Sequence, residues 1–213
     1  LTTSALIWDW PHRLWHWLFA AALCTSLYTG FDGDVALMDL HMVTGGGVIA
    51  LLVFRIGWAL WGGRYVRITQ YRTSIRALMR HFAGQSVEAS AHSAPGAAMA
   101  IALWMSVFVQ VCTGPFASDD IITEGPFAHY LSDSGVDVAT AIHTRVWWVI
   151  VALIATHLTA LGWYAWRRDP IAASMWNGRS ATPLAPIESH RMLRAALTAM
   201  GAAALVWAGA RWF

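Results

Sequence analysis

Four histidines, His16, His41, His143 and His157, sit in runs where an apolar chain gives imidazole few ordinary uses. The last two frame one stretch, HTRVWWVIVALIATH. A helix rises about 1.5 Å per residue, so the fourteen steps from His143 to His157 set the rings roughly 21 Å apart along one axis. Those steps are also close to four whole turns, so both rings leave the same side of the helix. Two imidazoles on one face at two depths predict two stacked ligand sites, and sites so far apart cannot share one ion. Haem fits that arrangement better than a metal cluster does. A pair of histidines satisfied by neighbouring helices, or lining a proton path, is the alternative use of intramembrane imidazole.

The elements that must position these rings are membrane spans. The chain is 57% hydrophobic and 12% charged, with fourteen tryptophans, and its mean hydropathy is positive. The apolar runs are longer than a soluble core needs and long enough to cross a bilayer. Spans are expected at 14–31, 41–61, 96–116 and 143–166, with a fifth apolar segment at 193–213. The stretch ALIWDWPHR before the first span reads as a Pro-broken aromatic approach at the membrane interface, without a cleavable signal pattern. Between the second and third spans, Arg72, Arg76 and Arg80 recur opposite Ile75, Leu78, Met79 and Phe82, which predicts a helix lying on the membrane surface. No CxxCH occurs, excluding covalent c-type haem attachment, and no CxxC pair suggests zinc or an iron–sulfur cluster. Membrane lipid is the expected surrounding, and nucleic acid is not an expected partner.

All fourteen basic residues are arginine. Segments expected on one side hold Arg13, then Arg64, Arg67, Arg72, Arg76 and Arg80, then Arg167, Arg168, Arg179, Arg191 and Arg194. The two opposite loops hold no arginine and eight of the twelve acids, so the positive-inside rule places the N-terminus in the cytoplasm. A fifth span would carry Arg211 outside. Alternating direction then pairs His41 with His143 towards the outer face, and His16 with His157 towards the inner one. Each pair bridges two helices at one level, as an iron with two axial imidazoles requires, and six-coordinate iron favours electron transfer over oxygen binding. Arg13, Arg55 and Arg145 lie at matching depths and are candidate partners for haem propionates. The run Gly45–Gly46–Gly47 suits close approach of a porphyrin or, alternatively, close helix packing. His12, one turn before His16, is the competing ligand and falls nearer the interface. His81, His92, His129 and His190 read as solvated or interfacial.

The segments WDWPHRLWHW, LHMVTGGGVIALLVFRIGWALWGGRYVRITQY, APGAAMAIALWMSVFVQVCTGPFASDDIITEGPFA and HTRVWWVIVALIATH resemble the bacterial cytochrome b561 family, itself similar to the membrane cytochrome b subunits of nickel–iron hydrogenases and formate dehydrogenases. The resemblance runs from Trp8 to Arg179, in order and with matching spacing. AHSAPG stands where the family often has a Gly-His-Asn-Pro-like turn, and the tail has no counterpart. The resemblance implies an all-α, integral membrane four-helix bundle over residues 1–179. It also implies two b-type haems on the same four histidines, exchanging electrons with quinone and a periplasmic partner. Residues 180–213 are expected to form a connector and a fifth transmembrane helix. The expected function is transmembrane electron transfer in the bacterial inner membrane, between the quinone pool and a periplasmic c-type cytochrome or a dehydrogenase or hydrogenase subunit. The alternatives are a stand-alone superoxide-type:quinone oxidoreductase, and a haem-free proton-coupled transporter or membrane anchor.

Overall fold

The computed structural model describes residues 5–32, 34–71, 75–85, 91–180, 184–187 and 191–210. Within them the chain is almost wholly helical: α1 (Trp10–Asp32), α2 (Val35–Trp61), α3 (Ile75–Phe82), α4 (Ala94–Thr113), α5 (Asp133–Trp166), α6 (Ser174–Asn177) and α7 (Met192–Ala210). The exception is a two-residue antiparallel pairing of β1 (Ala5–Leu6) with β2 (Arg179–Ser180), in register Ala5 with Ser180 and Leu6 with Arg179. Arg72, His190 and Arg211 lie outside the described residues.

Local chemistry sets the helix ends. Asp9 caps α1, its Oδ1 accepting from the His12 amide at 2.9 Å, with Pro11 in the first turn where a missing N–H costs nothing. That start lies four residues before the expected span, because the proline opens the helix instead of breaking it. Asp34 caps α2 by accepting from Ala36, so Asp39 falls inside the helix and not in a loop. Gly62 and Gly63 follow the end of α2, and the turn Gly114–Phe116 ends α4. α5 begins ten residues before His143, so the acidic loop is shorter than the sequence suggested. Arg168, with φ 56°, and the following Asp169–Pro170 close it.

α2, residues 94–116, α5 and α7 up to Gly209 are each long and apolar enough to cross a membrane, so the fifth apolar segment is a helix of spanning length. α1, at 23 residues or roughly 34 Å, also exceeds a hydrocarbon core of about 30 Å. Its tryptophans and histidines lower its hydropathy, but it carries no charge from Leu14 to Phe31. Large apolar side chains such as Val43, Leu60, Trp148 and Leu193 point outward, as they do where the surroundings are lipid. α3 is amphipathic and leaves Met79 and Phe82 uncovered, in keeping with a surface helix. The protein is an all-α, multi-pass membrane bundle.

By internal contacts the chain forms two compact units, with α1, α2, α4, α5 and α7 contributing to both. The first comprises Leu1–His16, Arg55–Leu103 and Leu153–Thr198. It is centred on Trp58, which is fully buried, with Ile7, Val66, Arg55 and Asp9. In it α7 meets α2 through Trp61 Nε1, which donates to Thr198 Oγ1 at 2.9 Å. The second comprises Trp17–Phe54, Trp104–Ala152 and Ala199–Phe213, with Val48, Val107 and Ile150 at its centre. There Trp147 stacks on Phe31 at 5.4 Å and donates to the Leu27 carbonyl, joining α5 to α1.

Candidate functional site

The second unit brings His41 of α2 and His143 of α5 together. Their ring centroids lie 6.2 Å apart with the planes at 90°. Each ring is held from behind by the helix that precedes it in the chain. His41 Nδ1 lies 2.9 Å from the Ser26 carbonyl and 3.2 Å from Thr29 Oγ1, both on α1. His143 Nδ1 lies 3.1 Å from the Gln110 carbonyl and 3.4 Å from Thr113 Oγ1, both on α4. A carbonyl only accepts, so Nδ1 carries the proton in both rings and Nε2 presents its lone pair. The Gln110 amide nitrogen is 3.3 Å from His143 Nε2.

This geometry fits haem. Two imidazoles on opposite sides of one iron, with metal–nitrogen bonds of about 2 Å, have centroids about 6 Å apart. Ligating histidines also characteristically give their second N–H to a carbonyl, as both rings do here. A Cβ at Gly45, Gly46 or Gly47 would meet no neighbour within 4 Å beyond its own helix, so no helix of the described chain packs against this run. Gly45 lies one turn from His41 on the same face of α2, where a flat ring system needs room.

The first unit holds His16 of α1 and His157 of α5, both half-buried and within electrostatic range of each other. A cluster that sequence reasoning did not assemble lies one turn before His16. His12 is 3% exposed and packs between Trp8 and Trp15, so it is a core residue. Asp9 accepts from Trp58 Nε1 at 3.3 Å as well as from the His12 amide. Arg55 donates from Nη2 to the Val66 carbonyl and the Tyr71 hydroxyl, with its guanidinium over the rings of Trp15 and Tyr71. His92, expected to be solvated or interfacial, packs between Tyr71 at 4.1 Å and Trp8 at 4.9 Å. Burial and then the Arg55 charge push His92 down to about 4. Burial also raises the Tyr71 phenol, against the pull of Arg55.

The remaining expected residues have ordinary surroundings. Arg13 donates from Nε to the Met175 carbonyl and lies over Trp10. Arg145 is exposed and donates to the Ala141 carbonyl one turn back. His129 is exposed beside Tyr130, and His81 lies on α3 against Phe82. The groups missed from sequence were Ser26, Thr29, Gly30, Gln110, Thr113 and Gly114. Their signal was a Thr-Gly pair near the end of two different spans.

A comparison with curated proteins gives no match. The family profile described as prokaryotic cytochrome b561 matches residues 7–178, which takes in all four histidines and every group bonded to His41 and His143. The chain therefore belongs to the prokaryotic cytochrome b561 family, whose work is to move electrons across a membrane on b-type haem.

Proposed function

We propose that this protein binds two b-type haems, one between His41 and His143 and one between His16 and His157. It carries electrons between the quinone pool and a redox partner in the periplasm. The observation that carries the reading is the His41–His143 pair, 6.2 Å apart, with both Nδ1 atoms committed to backbone carbonyls. A haem held there supplies reversible one-electron chemistry at iron, and the chain's own residues fix its axial ligands and surroundings. The arginine asymmetry supports an N-terminus in the cytoplasm, and with it His41 and His143 at the periplasmic face. His16 and His157, beside the Asp9, Arg55, Tyr71 and His92 cluster, serve the cytoplasmic one. Arg13, Arg55 and Arg145 are the cations available to carboxylate groups at these depths, Arg55 being the buried one.

The test is purification in mild detergent followed by measurement of haem per chain, a dithionite-minus-oxidised spectrum and a redox titration. Two haems per chain titrating as two components, reducible by a quinol analogue, are expected. A colourless, haem-free preparation would sink the reading in favour of a proton-coupled transporter. A periplasmic subunit that co-purifies supports the electron-transfer partner. Superoxide-dependent quinone reduction by the isolated chain would instead mark it as a stand-alone oxidoreductase.

A further inference from the structure

The two ligand rings of the second unit rest on the same three-part arrangement built twice. On α1 it runs from the Ser26 carbonyl through the Thr29 hydroxyl to Gly30. At the end of α4 it runs from the Gln110 carbonyl through the Thr113 hydroxyl to Gly114, the first residue of the turn that follows. The hydroxyl comes three residues after the carbonyl and the glycine four, which puts all three on one helical face. We propose that Thr29 with Gly30, and Thr113 with Gly114, are positioning residues that set the orientation and electron-donating strength of His41 and His143. The inference rests on the haem reading above.

The hydroxyls show why. Thr29 Oγ1 donates its one proton to the Thr25 or Ser26 carbonyl, at 3.0 and 3.1 Å, and so turns a lone pair towards His41 Nδ1. Thr113 does the same with the Val109 or Gln110 carbonyl, at 2.9 and 3.2 Å, and faces His143 Nδ1. Bonding back to the preceding turn is ordinary for threonine in a helix, and Thr25, Thr44, Thr144 and Thr159 do it here too. Thr29 and Thr113 place that hydroxyl against the Nδ1 of His41 and of His143. Each Nδ1–H is therefore shared between two fixed acceptors. Acceptors at Nδ1 draw the proton away from the ring and make Nε2 a stronger donor. A stronger axial donor stabilises ferric over ferrous iron and lowers the potential.

The glycines do the steric part. A Cβ at Gly30 would lie 2.9 Å from His41 Cε1, and one at Gly114 would lie 2.8 Å from His143 Cε1. In each case the three nearest atoms all belong to the imidazole, so an alanine presses on the ring itself. The perpendicular rings also carry a signature, since crossed axial imidazole planes give a strongly anisotropic low-spin ferric resonance.

The experiment is haem content, redox titration and ferric electron paramagnetic resonance on the purified protein and its variants. Thr29→Val and Thr113→Val should each raise the potential of the same single haem component and leave the other in place. Thr29→Ser and Thr113→Ser, which keep the hydroxyl, should return it to the wild-type value. Gly30→Ala and Gly114→Ala should reduce that haem's occupancy or collapse its anisotropic resonance. Gly201→Ala on α7, where a Cβ meets nothing within 4 Å, should change neither. Wild-type potentials and resonance in both valine variants, with haem retained, would overturn the inference and leave the haem reading standing. The same holds if serine behaves no differently from valine. A wild-type protein without haem would overturn both.

Discussion

Around His41 and His143 the supporting groups are neutral, and each set lies on the one helix that faces its ring. One turn before His16 they are charged and aromatic, drawn from Trp8–Asp9, Arg55–Trp58, Tyr65–Tyr71 and His92. The first arrangement is a property of two helix surfaces. Its hydrogen bonds survive as long as α1 stays beside α2 and α4 beside α5. The second places a guanidinium and a carboxylate in the interior, 2% and 1% exposed. A buried charge is costly unless its partners stay in place, so this second region is the more sensitive to losing any one member. Charge separates the two units as well. All eight acids of the expected outer face, from Asp32 to Asp137, belong to the unit of His41 and His143. Arg64, Arg67 and Arg167 belong to the other.

The sharpest way to break the comparison is to remove ligands. His41→Ala and His143→Ala should each abolish the same haem, and the double variant should cost little more than the worse single, because residues serving one site are not additive. His157→Ala should remove the other haem, and combining it with His41→Ala should remove both. Haem content and redox titration read the result. If His41→Ala and His143→Ala disturb different haems, the two-site division fails.

Next in size is the cap and counter-charge of the first unit. Asp9→Ala removes the acceptor of the Trp58 indole and the His12 amide, and the carboxylate nearest in effect to Arg55. It should cost about 2 kcal/mol, the usual price of stranding buried donors. Thermal unfolding in detergent would show it, and the His16 haem should be lost before the His41 one. Equal losses at the two sites would mean that the regions unfold together.

A smaller effect concerns pH. His92 titrates at about 4 in the folded protein and near 6.5 when unfolded, so the native state binds fewer protons between those values. Its contribution is complete above pH 6.5 and is lost progressively as pH falls towards 4. The groups facing it include Arg55, Tyr71 and Trp8, with His12 in electrostatic range; Arg55 and Tyr71 do not titrate in that window, Trp8 does not ionise, and His12→Phe is the control for the second imidazole. His92→Phe should flatten the acid limb of a stability–pH curve, and an unchanged limb would show that His92 is not its source.

The smallest effect tests the other end. Asp119 accepts from the amides of Ile121, Ile122 and Thr123, which hold its carboxyl down to about 2, so it is charged at any working pH. Exchange with a soluble basic partner should slow modestly as salt rises, since exposed charges are screened beyond about 8 Å at physiological ionic strength. Stopped-flow rates that ignore salt would point to a permanent apolar interface instead.

Much of this was legible in the chain because it is local. Hydropathy marked the spans, and the fourteen-residue spacing put His143 and His157 on one face whatever the rest of the fold did. The family resemblance over Trp8 to Arg179 agrees with the matched residues 7–178. The Thr-Gly repeat was less legible. From Thr29 to His41 the chain takes twelve steps, and from Thr113 to His143 it takes thirty, because the loop and first turns of α5 intervene. A search for a fixed period passes over two copies whose connections differ so much in length.

His12 and His92 were misread for a different reason. Their position near helix ends suggests the interface or solvent, and only tertiary packing sets His12 between Trp8 and Trp15 and His92 between Tyr71 and Trp8. What the sequence alone determined is the membrane setting, the helical class and the histidine spacing, since each depends on residues within one helix. What the tertiary structure decided is which glycines are pressed, which carbonyls fix each Nδ1, and where Arg55 finds its partners. Those contacts join segments from 11 to more than 40 residues apart, and no local propensity encodes which of the possible pairings packing will choose.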